Sequence, residues 1–179
     1  MRNFYLLNCI YSEGVDMVND ESYKINSFIK YAVEKYSSTV SKTAFSYLKN
    51  VTDSEDITQE VFLTLMEHEG EFENDEHLKA WLIRVTINKC KNYLKSSWFK
   101  SRNPILGDIA YLPREESEVL SAVLSLKVRY RIPIHLYYYE GYSIKEISNI
   151  LEIPESTVGT RLARARKILK KSLGEIDDE

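Results

Sequence analysis

Little in this chain can cross-link or break it: among 179 residues there are 2 cysteines, 4 prolines and 6 glycines. Cys9 and Cys90 stand far apart and in no CxxC pair, which argues against a zinc ribbon or a disulfide framework. A reduced, cytosolic protein with Cys90 as a small core residue is expected. No uninterrupted apolar run approaches the roughly 18 residues of a membrane span. Met1 to Ile10 carries only a short apolar patch without a cleavage-site pattern, so neither membrane insertion nor export is expected. With 44% hydrophobic and 28% charged residues the chain falls in the globular range. Long Lys, Arg and Glu side chains suit helices with wide amphipathic faces, and an all-α fold is expected.

No single charge sign dominates, and the net charge of −3 alone would argue against a polyanionic partner. The distribution argues the other way. Asp53 to Glu76 holds ten acidic residues and no Lys or Arg; His77 to Arg102 holds seven basic residues and no acidic one. Ser156 to Lys171 holds six basic residues and no acidic one, ahead of an acidic tail, Glu175 to Glu179. Two separate basic stretches point to two contacts with a polyanion.

Helical spacing organises the rest. Glu21 to Asn50 reads as one or two helices, with a break near Ser37 and Ser38 in the second case. Asp53 is the expected N-cap of a helix from Ser54 to His68, with Glu55 and Asp56 favouring the positive end of its dipole. Its apolar stripe is Ile57, Val61 and Leu65 with Phe62 beside it, while Asp56, Gln59, Glu60 and Leu63 share another face. A helix from about Asp75 to Ser97 follows, with Ile83, Ile87, Cys90 and Leu94 inward and Trp81 assigned to packing. On its other side Arg84, Asn88, Lys91, Asn92 and Lys95 fall together at i, i+4, i+7, i+8 and i+11. Asn can bond base edges there while Lys and Arg meet phosphates. Between Ser101 and Ser117 the period fails around Pro104, Gly107 and Pro113, marking a linker. The expected organisation is two small helical domains, 21–100 and 118–173, joined by a flexible linker at 101–117, with 1–20 unassigned and 174–179 an acidic tail.

The sharpest local signal runs from Gly141 to Lys171. Ser143 and Glu146 form the S-x-x-E capping box that starts a helix. Ile144, Ile147, Ile150 and Leu151 lie inward along it, and Ile153 and Pro154 end it. A second helix starts near Glu155 with Val158, Leu162, Ala165 and Leu169 buried, leaving Thr157, Thr160, Arg161, Arg164, Lys167 and Lys171 on a cationic outer face. Helix, tight turn and basic second helix is the geometry that lays a recognition helix in the major groove.

The run from Tyr130 through Arg131, Gly141, Ser143 and Glu146 to Ser156-Thr157-Val158-Gly159-Thr160-Arg161-Leu162-Ala163-Arg164-Ala165-Arg166 closely resembles the C-terminal domain of extracytoplasmic-function sigma factors of the sigma-70 family. Asp53 to Leu63 resembles that family's polymerase-binding helix, and Ala80 to Arg84 with Asn88, Lys91, Asn92 and Tyr93 its promoter-melting helix. The resemblance implies a sigma factor without catalytic residues, cofactor or metal. It places Asp56, Gln59, Glu60, Phe62 and Met66 against the clamp helices of the largest subunit of core RNA polymerase, with the flap as a further contact. It implies that Arg84, Asn88, Lys91, Asn92 and Lys95, with the loop Glu69 to Asp75, take the −10 strand, and that the second helix of the C-terminal pair reads the −35 element of promoter DNA. An anti-sigma factor is a further partner such proteins often have. Gly159 departs from the pattern, since the family more often has a DNA-touching side chain there.

Two rival readings are weighed. A conventional helix-turn-helix regulator explains the C-terminal half equally well but leaves the second basic helix and its acidic, amide-bearing neighbour without a role. A metal enzyme built on Glu67, His68, Glu69, Glu71, Glu73, Asp75, Glu76 and His77 is weaker, because carboxylates along a polar loop are usually solvated and no nucleophile accompanies them.

Overall fold

The computed structural model describes residues 20–96 and 114–174. Residues 1–19, 97–113 and 175–179, which include most of the expected linker and the acidic tail after Gly174, lie outside the described residues. Those described are helical, in the order α1 (Asp20–Leu48), α2 (Val51–Met66), α3 (Asp75–Lys95), α4 (Arg114–Ser125), α5 (Val128–Ile134), α6 (Ile144–Leu151) and α7 (Glu155–Ser172). α5 runs on into a π-helical turn, His135–Tyr139.

α1 is one helix of 29 residues, without the break at Ser37 and Ser38. Ile29, Ala32, Tyr36, Val40, Ala44 and Leu48 recur at helical spacing and are all buried, so continuous packing overrides the weak helix propensity of two serines. Lys49, at φ 57°, ends it. The N-cap of α2 is Asn50 and not Asp53: its side-chain oxygen accepts the Asp53 amide at 3.0 Å. Asp53 is therefore a buried first-turn residue. α3 begins at Asn74, whose side chain caps the His77 amide at 2.9 Å. α4 starts at Arg114, inside the segment expected to be linker.

Two apolar clusters form. The first joins α1, α2 and α3 through Ile57, Val61, Phe62, Leu65, Leu78, Leu82 and Cys90. The second gathers the C-terminal helices around Leu136, Ile147, Val158 and Leu162, and takes in Ile83 and Ile87 of α3. The inner stripe expected to serve one domain thus serves both: Cys90 faces one core while Ile83 and Ile87 face the other.

Pro133 lies inside α5, where it cannot donate to the preceding turn. The helix widens two residues later, and the Glu140 amide bonds the His135 carbonyl at 3.2 Å. This turn aims His135 inward, 3.2 Å from the Thr43 hydroxyl of α1. Burial pushes the His135 pKa down to about 4, opposed by the Glu140 carboxylate and assisted by Lys42 and Lys79. Glu140 in turn pairs with Lys79 of α3 at 3.1 Å.

Arg131 is 2% exposed, and its guanidinium is met by backbone carbonyls. It donates to the carbonyls of Leu124 at 2.9 Å and Leu126 at 2.6 Å, at the end of α4, and of Tyr47 at 3.2 Å and Ser46, at the end of α1. Last-turn carbonyls lack intrahelical donors and carry the negative end of the helix dipole, so a buried cation there answers both needs. Desolvation lowers its pKa to about 10, which leaves it charged at neutral pH. Replacing Arg131 by Met should lower unfolding free energy by about 3 kcal/mol or more, because buried acceptors lose their donor. Urea denaturation checks this; a loss of under about 1 kcal/mol, an ordinary surface change, would refute it.

Candidate nucleic-acid and polymerase interfaces

The five polar residues of α3 are presented together as the spacing requires: Arg84, Asn88, Asn92 and Lys95 are exposed and Lys91 half-buried. Lys95 sits in the last turn, where its charge suits the dipole. Arg84 is not wholly open to a ligand, since it donates to the Asn149 carbonyl of α6 at 2.9 Å.

The loop leading into α3 is held by rings. Phe72 lies 5.0 Å from His68, 5.5 Å from Trp81 and 6.1 Å from Phe28, and Trp81 packs on the first core as expected. His68 and His77 both join this cluster rather than turning to the neighbouring carboxylates. A Cβ at Gly70 would stand 2.7 Å from the His68 ring nitrogen, so any larger residue there would displace that imidazole. On α1, Lys35 and the Tyr31 hydroxyl both reach Asp75, fixing the first turn of α3 against it.

On α2, Asp56 and Glu60 are exposed and Gln59 is half-buried, forming the expected carboxylate and amide face. Phe62 does not belong to that face. It is 5% exposed and packs in the first core, because α2 is flanked by both α1 and α3 and its buried arc is wide enough to include the residue beside the central stripe. The apolar members of the outer face are Leu63, 58% exposed, and Met66, 45% exposed. Glu60 also pairs with Lys89 of α3 at 3.3 Å, so the acidic and basic helices meet at one exposed bridge.

The helix-turn-helix forms as its sequence dictates. Ser143 caps α6, with Glu146 accepting the Ser143 amide at 2.8 Å in return. The turn between helices is made by Glu152, which adopts a left-handed conformation at φ 56°, ahead of Pro154 at the N-cap of α7. Nothing in the sequence marked Glu152, since glycine or asparagine is the usual signal there. Val158, Leu162 and Ala165 are buried, and Thr160, Arg164, Lys167 and Lys171 are exposed with Thr157 and Arg161 partly so. The Thr160 hydroxyl is spent on its own helix, donating to the Ser156 carbonyl at 2.8 Å, which leaves its methyl and lone pairs outward.

Thr157, Thr160, Arg161 and Arg164 line one concavity of about 280 Å³ together with Ser156, Arg129 and Tyr130. The last two, from α5, were not among the sequence candidates. The signal available was the Arg129-Tyr130 pair at the start of the helix that precedes the capped one. Lys167 and Lys171 continue the same face beyond the concavity.

Gly159 meets nothing within 4 Å of where its Cβ would stand. Gly159→Ala should therefore stabilise the protein by about 1 kcal/mol, the helix-interior cost of glycine. Thermal or urea unfolding tests this, and an unchanged or lower stability would contradict it.

Residues 32–100 match the family profile Sigma-70 region 2, and residues 110–169 match Sigma-70, region 4. The chain is 28% identical over 164 residues to the ECF RNA polymerase sigma factor SigW of Bacillus subtilis, covering 80% of this chain and 88% of that one. It is 26% identical over 160 residues to the ECF RNA polymerase sigma-E factor of Escherichia coli, covering 76% and 82%. The fold is similar to the sigma factor RpoE solved with the anti-sigma factor NepR from Bartonella quintana, with a TM-score of 0.69 and 19% identity over 83% of this chain and 97% of that one. With both halves matched in order, the chain belongs to the sigma-70 family of RNA polymerase sigma factors, in its extracytoplasmic-function group.

Proposed function

We propose that this sigma factor divides its work among three helix faces. The outer face of α2, Asp56, Gln59 and Glu60 with Met66 and the neighbouring Leu63, docks on the clamp helices of core polymerase. The polar side of α3, Arg84, Asn88, Lys91, Asn92 and Lys95, holds the opened −10 strand, with the ring-pinned loop before it beside the captured base. The outer face of α7, Thr157, Thr160, Arg161, Arg164, Lys167 and Lys171, enters the −35 major groove. The observation that carries this reading is the pairing of two cationic faces, one in each half, with an acidic and amide face that bears exposed apolar side chains. A regulator acting only through its helix-turn-helix has no use for the last of these. An anti-sigma factor is a fitting partner, as for the relative solved with one, and action in the cytoplasm follows from the polymerase partner.

Gln59→Ala with Glu60→Ala should weaken binding to purified core polymerase at least tenfold while leaving circular dichroism unchanged. Unchanged affinity with the fold intact would overturn the α2 assignment.

For α3, Asn88→Ala with Asn92→Ala should permit closed-complex formation but slow strand opening, because the lost hydrogen bonds are to unpaired bases. Permanganate footprints matching those of the unchanged protein would remove these asparagines from the opening step.

A further inference from the structure

The concavity beside α7 has a cationic lining without a carboxylate: Arg129 on α5 and Arg161 and Arg164 on α7 converge there. Arg129 is exposed, at the second position of α5, outside the helix-turn-helix. Its guanidinium lies 4.8 Å over the Tyr130 ring, an attraction that narrows where the side chain can point. The hydroxyl of the same tyrosine interacts with Arg164, and this contact, opposed by desolvation and helped by the Arg129 and Arg164 charges, pulls the phenol below its ordinary pKa. One aromatic ring thus orders a guanidinium from each of two helices. Ser156 and Thr157, in the first turn of α7, complete the lining, and the positive end of the α7 dipole adds to its attraction for negative charge. Like charges held this close repel one another until an anion comes between them.

We propose that Arg129, ordered by Tyr130 alongside Arg164, anchors one phosphodiester of the DNA backbone, so that α5 holds the duplex while α7 lies in its groove. The proposal rests on the reading of α7 as the DNA-facing helix. A planar guanidinium matches the paired oxygens of a phosphodiester, and its contact carries no sequence information. Arg129 is then a holding residue: its loss weakens all sequences alike.

The test uses the full chain and a short mixed-sequence DNA duplex, with binding followed by fluorescence anisotropy between about 50 and 200 mM salt. Arg129→Ala should weaken binding severalfold at the lowest salt and reduce the slope of log affinity against log salt by about 0.9, the value for one phosphate contact. Arg129→Lys should retain most of the slope. Arg129→Gln, which keeps the stem over the ring, should lose as much slope as the alanine variant with an unchanged melting temperature, separating charge from packing. Tyr130→Phe keeps the ring but frees Arg164, and should weaken binding less than Arg129→Ala. If the unchanged protein binds with a normal salt slope and Arg129→Ala and Arg129→Gln share it, the proposal is wrong while the reading of α7 stands. If the unchanged protein shows no salt-dependent binding, both fall together.

Discussion

The arrangement of the two halves depends on where one positive charge finds its partners. Arg131 offers its donors to carbonyls at the ends of α1 and α4, one helix from each half, and it is fully withdrawn from water. A carboxylate partner would have tied it to a single side chain. Helix ends tie it to two backbones, whose positions are set by every apolar contact along α1 and α4. The cost of burying the guanidinium is met only if both helices end at the right place, which makes the contact a strong constraint on geometry and a weak source of net stability.

Around that point the interface is built in two ways. Ile83 and Ile87 of α3 enter the C-terminal core, where their burial is non-directional and worth about 25 cal/mol per Å² of apolar surface. Beside them sits a polar chain from Thr43 to His135, Glu140 and Lys79, in which direction matters. The π turn after Pro133 makes that chain possible. A regular helix would rotate Glu140 by a fraction of a turn relative to His135, whereas the extra residue brings both toward α1 and α3 and sends Tyr138 and Tyr139 outward, 55% and 59% exposed.

Much of this was legible in the sequence, and the divisions between what was and was not have physical causes. Helices with a strict apolar period, α3 and α7 above all, fixed which side chains share a face, because 3.6-residue periodicity leaves no freedom once the buried stripe is known. The capping box at Ser143 located α6 to the residue. Features decided by tertiary context were not accessible. Ser37 and Ser38 look like a break until the stripe on either side is seen to stay in register. Asp53 and Asn50 both have capping side chains, and only the tight connection after Lys49 selects Asn50. Phe62 borders the stripe of α2, and whether such a residue faces in or out depends on how many helices flank it. Arg131 and Ile83 raise the same problem across the two halves, since their partners lie in elements far away in sequence.

The charge pattern shows how a linear signal becomes a surface. Ten acidic residues followed by seven basic ones leave the sum near zero, yet α2 and α3 pack side by side, and Glu60 of one meets Lys89 of the other. That bridge is exposed and contributes little to stability. Its position still matters, because it joins the acidic helix to the basic one, and at physiological salt charges within about 8 Å of each other still interact. Potentials on this scale are set locally, by what lies on each face, and a net charge of −3 is no obstacle to binding DNA when the lysines and arginines of α3 and α7 stand apart from the acids that balance them.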